Sequence, residues 1–122
     1  MEQPAVNAAP ARLRKGETTR SLFQQGMRIS GMNPHTRLLA LTLLGHANFR
    51  SGVISPQFQP SDEELVAETG LTLAQVNVQL SVLRSRGWLV QHVSRNDGAT
   101  DENRWRLAVP EHVLARLRTT RR

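Results

Sequence analysis

Apolar residues recur at helical spacing in three stretches of this chain and alternate in a fourth. Asn33-Pro34 supplies a cap followed by proline at the first helical position, and HTRLLALTLLGHANF continues the pattern to about Asn48. Leu38, Leu39, Leu41, Leu43, Leu44 and Ala47 surround most of that helix axis, which predicts a core helix buried on nearly all sides. Gly52, Pro56 and Pro60 then break the pattern and leave room for a short strand at 53–55. Ser61 with Glu64 forms a capping box that opens a second helix, and Gly70 suits its left-handed C-terminal position. Thr72 with Gln75 forms another capping box almost at once. The third helix runs to Arg86 and stops at Gly87, with Arg84 and Arg86 placed favourably in its last turn. The expected helices are 34–48, 62–69 and 73–86.

Beyond Gly87 the period changes. WLVQHV has strand composition, SRNDGATDEN is a polar turn containing Asp97-Gly98, and RWRLAV alternates. Trp105, Leu107 and Val109 fall on one face of that strand and Arg104 and Arg106 on the other, so 88–94 is expected to pair with 104–109. After Pro110, EHVLARLR predicts a short final helix whose stripe of Val113, Leu114 and Leu117 is, like the lead-in before Asn33, a candidate pairing surface between two copies. Phe23–Ser30 reads as a short strand or an irregular lead-in. Residues 1–20 show neither period and read as a mobile basic arm or a tail without a role. The organisation is an arm over 1–22, a domain over 23–110, and a C-terminal helix with a basic tail over 111–122. The class is mainly α with a small β-hairpin.

Composition narrows the chemistry. A chain of 122 residues makes one domain, and the absence of cysteine excludes disulfides, thiolate metal sites and cysteine nucleophiles. His35, His46, His92 and His112 lack ligand spacing and read as surface or partly packed imidazoles, so neither metal nor cofactor is expected. The apolar run Leu38–Leu44 is far short of the ~20 residues of a membrane span. Glu2, Gln3 and Pro4 do not begin a secretory signal, which gives a cytoplasmic expectation. Net charge is +6, which suits a polyanionic partner. Its distribution is uneven. Asp62, Glu63, Glu64 and Glu68 face no base between 61 and 83, whereas residues 84–122 hold nine arginines against four acids. Glu63 and Glu64 are adjacent on a helix and point about 100° apart, so they form no catalytic pair. With no phosphate loop, nucleophile elbow or metal motif, no catalytic residue is assigned.

Helix, strand, helix, tight turn, helix, hairpin is the order of a winged helix-turn-helix domain, a three-helix core plus a wing. Gly70-Leu71-Thr72 is short enough to cross two helices steeply, with Leu71 plugging the corner. In such motifs the second helix of the pair enters the DNA major groove. On a helical wheel Leu73, Val76, Leu80 and Leu83 make the core stripe. Ala74, Val78, Ser81, Val82 and Ser85 lie opposite, flanked by Gln75 and Asn77, with Gln79 nearer the core edge. Small outward residues allow close approach to base edges. Side-chain amides can pair with adenine, and methyls can touch thymine. The phosphate grip is expected from Arg84, Arg86, the wing residues Arg95, Arg104 and Arg106, and the N-terminal arm. Trp88 and Trp105 are assigned to packing rather than to base stacking.

RLLALTLLGHANFRSG, PSDEELVAETGLTLAQVNVQLSVLRSRGWL and DENRWRLAVP together resemble the winged helix-turn-helix domains of bacterial, phage and plasmid DNA-binding proteins. The matching positions are Pro60-Ser61, Leu65-Val66, Thr69-Gly70-Leu71-Thr72, Val76, Leu80, Leu83, Gly87 and Asn103-Arg104-Trp105, over about residues 33–110. One departure is that relatives often carry a base directly after the residue that starts the recognition helix, where this chain has Leu73. The resemblance implies sequence-specific binding of double-stranded DNA by a homodimer, as a small nucleoid-associated transcriptional regulator. DNA contacts are expected from Thr72, Ala74, Gln75, Asn77, Val78, Ser81, Arg84, Arg95, Arg104 and Arg106. Two alternatives stay open: an accessory factor in replication or partition of a mobile element, and an interaction module that docks protein through Val78 and Val82.

Overall fold

The structure, a computed structural model, describes residues 13–91 and 105–120. Their elements run α1 (Thr19–Ile29), α2 (Pro34–Leu44), α3 (Asp62–Thr69), α4 (Leu73–Ser85), β1 (Leu89–Gln91), β2 (Trp105–Leu107) and α5 (Glu111–Thr120). The protein is mainly helical, with one small antiparallel strand pair.

The caps expected for α2, α3 and α4 are all formed. Asn33 Oδ1 accepts from the Thr36 N–H at 3.0 Å. The two reciprocal boxes, Ser61 with Glu64 and Thr72 with Gln75, open α3 and α4. Gly70 closes α3 at φ 79°, a left-handed conformation that costs an L-residue its Cβ clearance. Only Leu71 and Thr72 then stand between Gly70 and α4, and Leu71 is buried at the corner.

Several expectations need correction. Phe23–Ser30 is neither strand nor irregular, because residues 19–29 form α1, capped by the Thr18 hydroxyl at the Ser21 N–H. Thr19, Leu22, Phe23, Gly26 and Met27 line its buried face at helical spacing. Gly26 serves packing here: a Cβ at that position would meet both Trp88 and Val113 at 3.1 Å. Residues 19–22, assigned to the arm, are thus the first turn of α1. Glu17 is clamped by Arg118 of α5 through contacts of 2.6 and 3.1 Å, and it accepts from the Arg14 N–H at 2.7 Å.

The second correction concerns α2, which ends at Leu44 rather than near Asn48. Asn48 instead folds its side chain onto the N–H groups of Arg50 and Ser51, both at 2.9 Å, and turns the chain back. Leu38 and Leu41 remain exposed, so α2 is buried on one side rather than all round. The third concerns α5. Val113, Leu114 and Leu117 are buried in the common core, and α5 packs on α1. The stripe offered as a pairing surface between copies is therefore consumed within one chain.

The strands pair as expected after α4, with Leu89 opposite Leu107 and Gln91 opposite Trp105. The short strand foreseen at 53–55 is reduced to a bridge from Val53 to Arg106. It is flanked by hydrogen bonds from the Leu107 N–H to Gly52 O (2.8 Å) and from the Ile54 N–H to Trp105 O (2.9 Å). The turn around Asp97-Gly98 lies outside the described residues. Phe23, Leu39, Ile54, Val76 and Leu83 sit at the centre of the core. Trp88 meets Phe23 edge-on, with ring centroids 5.4 Å apart, as a packing anchor. Among the described residues no helix is long and apolar enough to cross a membrane.

Candidate functional site

The site expected from the sequence is the outward face of α4, and its position follows from how the helix is seated. Val76 and Leu83 are fully buried, Gln79 is buried between them, and Leu80 is half-buried against the core. Leu73, assigned to the core stripe, is instead 49% exposed. The buried arc is thus rotated toward Gln79 and away from the first turn. Gln79 is admitted because its carbonyl oxygen accepts the Thr36 hydroxyl of α2, which satisfies a polar group inside the α2–α4 contact.

Ala74, Asn77, Val78, Ser81 and Ser85 are exposed, as the wheel required, and Val82 is half-buried. They form a surface of small side chains and one primary amide, with Leu73 and Val78 as its apolar points. Val78 is 56% exposed. The Asn77 side chain makes no hydrogen bond among the described residues, so both halves of its amide are available. Gln75 differs. Its Oε1 accepts the Thr72 N–H at 2.9 Å while the Thr72 hydroxyl accepts the Gln75 N–H at 3.1 Å. A bidentate contact to adenine needs the amide oxygen and nitrogen together. Gln75 can make one only by giving up the cap. The capping box is legible in the sequence, but its competition with base contact is not.

The structure divides the arginines. Arg84 is exposed and lies over the Trp105 ring, 5.4 Å from its centroid, which fixes the end of α4 against β2. Arg106 follows Trp105 in the strand and so points to the opposite face. There it lines a crevice with Leu13, Thr19, Leu22 and Leu114. Arg106 and Arg84 therefore do not share a surface. Arg95 and Arg104 lie outside the described residues. Two of the α3 acids are occupied within the chain. Glu64 holds its own cap, and Glu68 meets His46 Nε2 at 2.8 Å. The orphan N–H groups at the start of α4, beside Thr72, face no acidic side chain of that first turn.

No family model, no curated protein and no solved structure matches this chain.

Proposed function

We propose that this chain is a winged helix-turn-helix protein that binds double-stranded DNA sequence-specifically and acts as a small transcriptional regulator. The observation that carries the proposal is the outward face of α4. A helix held by two caps and a corner leucine presents Ala74, Asn77, Val78 and Ser81 to solvent, with a strand pair directly after it. Such a surface can approach base edges closely. In this reading Asn77 supplies the hydrogen bonds that discriminate bases, and Val78 and Ala74 supply methyl contacts. The first-turn N–H groups beside Thr72 and the Arg84 guanidinium meet phosphates, together with Arg95 and Arg104 of the wing. One such unit covers a half-site, so two copies bind a two-fold operator without using the α5 stripe. Selection of bound fragments from genomic DNA at two salt concentrations tests this. A recurrent site that outlasts random fragments at the higher salt supports it, and its absence rejects it.

A second reading is favoured by one observation. Leu73 and Val78 are exposed apolar points on a helix that carries no base before Arg84. In that reading α4 docks on a protein partner. Val78→Asp then abolishes the partner complex, while binding to DNA is weak, salt-labile and without a preferred site.

A further inference from the structure

The turn after α2 and the start of α1 meet at the backbone. The Thr19 N–H donates to Arg50 O at 3.1 Å and the Arg20 N–H to Phe49 O at 2.9 Å, so residues 19–20 and 49–50 lie side by side. Arg20 and Arg50 are both exposed there, and Arg106 borders the same place, lining a crevice with Thr19 and Leu13. Arg14 and Lys15 stand exposed in the turn just ahead of α1. None of these bases makes an ion pair among the described residues. The acids nearby are Glu17, already held by Arg118, and Glu111, which lines a crevice with Arg14. That balance leaves a field that attracts a polyanion. Within it lies Phe49, a ring 48% exposed with the Arg50 guanidinium 5.6 Å from its centroid. A duplex keeps its bases stacked on one another and has no use for such a ring. A strand with unpaired bases can stack one on it while its phosphates meet the arginines.

We propose that this face binds single-stranded nucleic acid, with one base stacked on Phe49, phosphates on Arg20 and Arg50, and the strand continuing toward Lys15 and Arg14. It is separate from the outward face of α4, since Arg106 and Arg84 lie on opposite sides of the strand pair. Binding here does not depend on whether α4 reads duplex DNA. Single strands of DNA and of RNA share the chemistry that the face addresses.

The test is fluorescence anisotropy of the intact chain with labelled oligothymidylate and oligouridylate, each about 12 nucleotides long, and with a duplex of random sequence. Phe49→Ala should weaken binding of the single strands about tenfold and of the duplex hardly at all, whereas Phe49→Trp keeps the platform and the affinity. Phe58→Ala is the control. Phe58 is 61% exposed but stands just ahead of Asp62, Glu63 and Glu64, and its loss should change nothing. Arg20→Ala should lower the dependence of log affinity on log salt by about 0.7, the share of one phosphate contact on a single strand. Arg28→Ala, at the other end of α1, should leave that slope unchanged. The tighter of the two strands names the source, DNA or RNA. Asn77→Ala should leave single-strand binding intact, so a failure of the α4 reading shows only in duplex site preference. No binding of either strand, equal losses in Phe49→Ala and Phe58→Ala, an unchanged slope in Arg20→Ala, or a loss of single-strand binding in Asn77→Ala would each overturn the proposal. If Arg20→Ala weakens the duplex while Phe49→Ala changes neither ligand, the face grips duplex phosphates instead and the proposal falls.

Discussion

At the scale of single residues, two amides two residues apart on α4 have different work to do. Gln75 closes the box with Thr72 and so holds the start of the helix, while Asn77 projects unpaired into solvent. Gln75→Ala should therefore act on stability, lowering it by about 0.5–1.5 kcal/mol, the usual net worth of one hydrogen bond. Its effect on DNA site preference should be small. Chemical denaturation of the variant beside a competition assay separates the two effects. A large loss of site preference with unchanged stability would mean that the cap opens for DNA. Both roles lay in the sequence, since Thr-x-x-Gln marks the box. What it could not show was that one oxygen serves only one of them at a time.

At the scale of elements, the seating of α4 sets which face is offered. Leu83 has no exposed surface, whereas Leu73 is 49% exposed. Leu83→Ala should lose about 2–5 kcal/mol and Leu73→Ala no more than about 0.5 kcal/mol, read from denaturation midpoints. Equal losses would mean that the helix is rotated from the seating described here. The helical period, the caps of α2, α3 and α4 and the strand pairing after Gly87 were all legible, because each depends on residues close in sequence. The exact arc was not. Gln79 enters the core only because Thr36 donates to it from another helix, and a polar side chain carries no mark of such a partner. The same blindness hid α1. Gly26 reads as a helix breaker until Trp88 and Val113 are seen pressing on it from distant segments. Its stripe of Leu22, Phe23 and Met27 was nevertheless visible as helical spacing.

At the scale of the whole molecule, the segment before α1 is tied to α5. The bidentate contact from Arg118 holds the Glu17 carboxyl down at about 2, against an ordinary value of 4.5, with the Arg14 N–H adding to the effect. A carboxyl more acidic in the folded chain stabilises it fully above about pH 4.5 and loses that contribution as pH falls toward 2. Glu17→Gln should cost about 1.5–3 kcal/mol at neutral pH, the range for hydrogen bonds to charged groups. Its stability should also vary less than the parent's across that acid window. Thermal melts at several pH values check this, and parallel curves for the two proteins would reject it. The same clamp explains why α5 is no free surface, since it is bound to α1 by apolar packing and to the N-terminal segment by charge.

In the proposed function, the exposed face of α4 reads bases through Asn77. The most direct measurement is the affinity of the parent and of Asn77→Ala for a selected DNA site and for a scrambled one, at one fixed salt concentration. If Asn77 reads bases, Asn77→Ala loses about 1–3 kcal/mol at the selected site with almost none on scrambled DNA, so that the ratio of the two affinities collapses. An unchanged ratio, or an equal loss on both sequences, would contradict it.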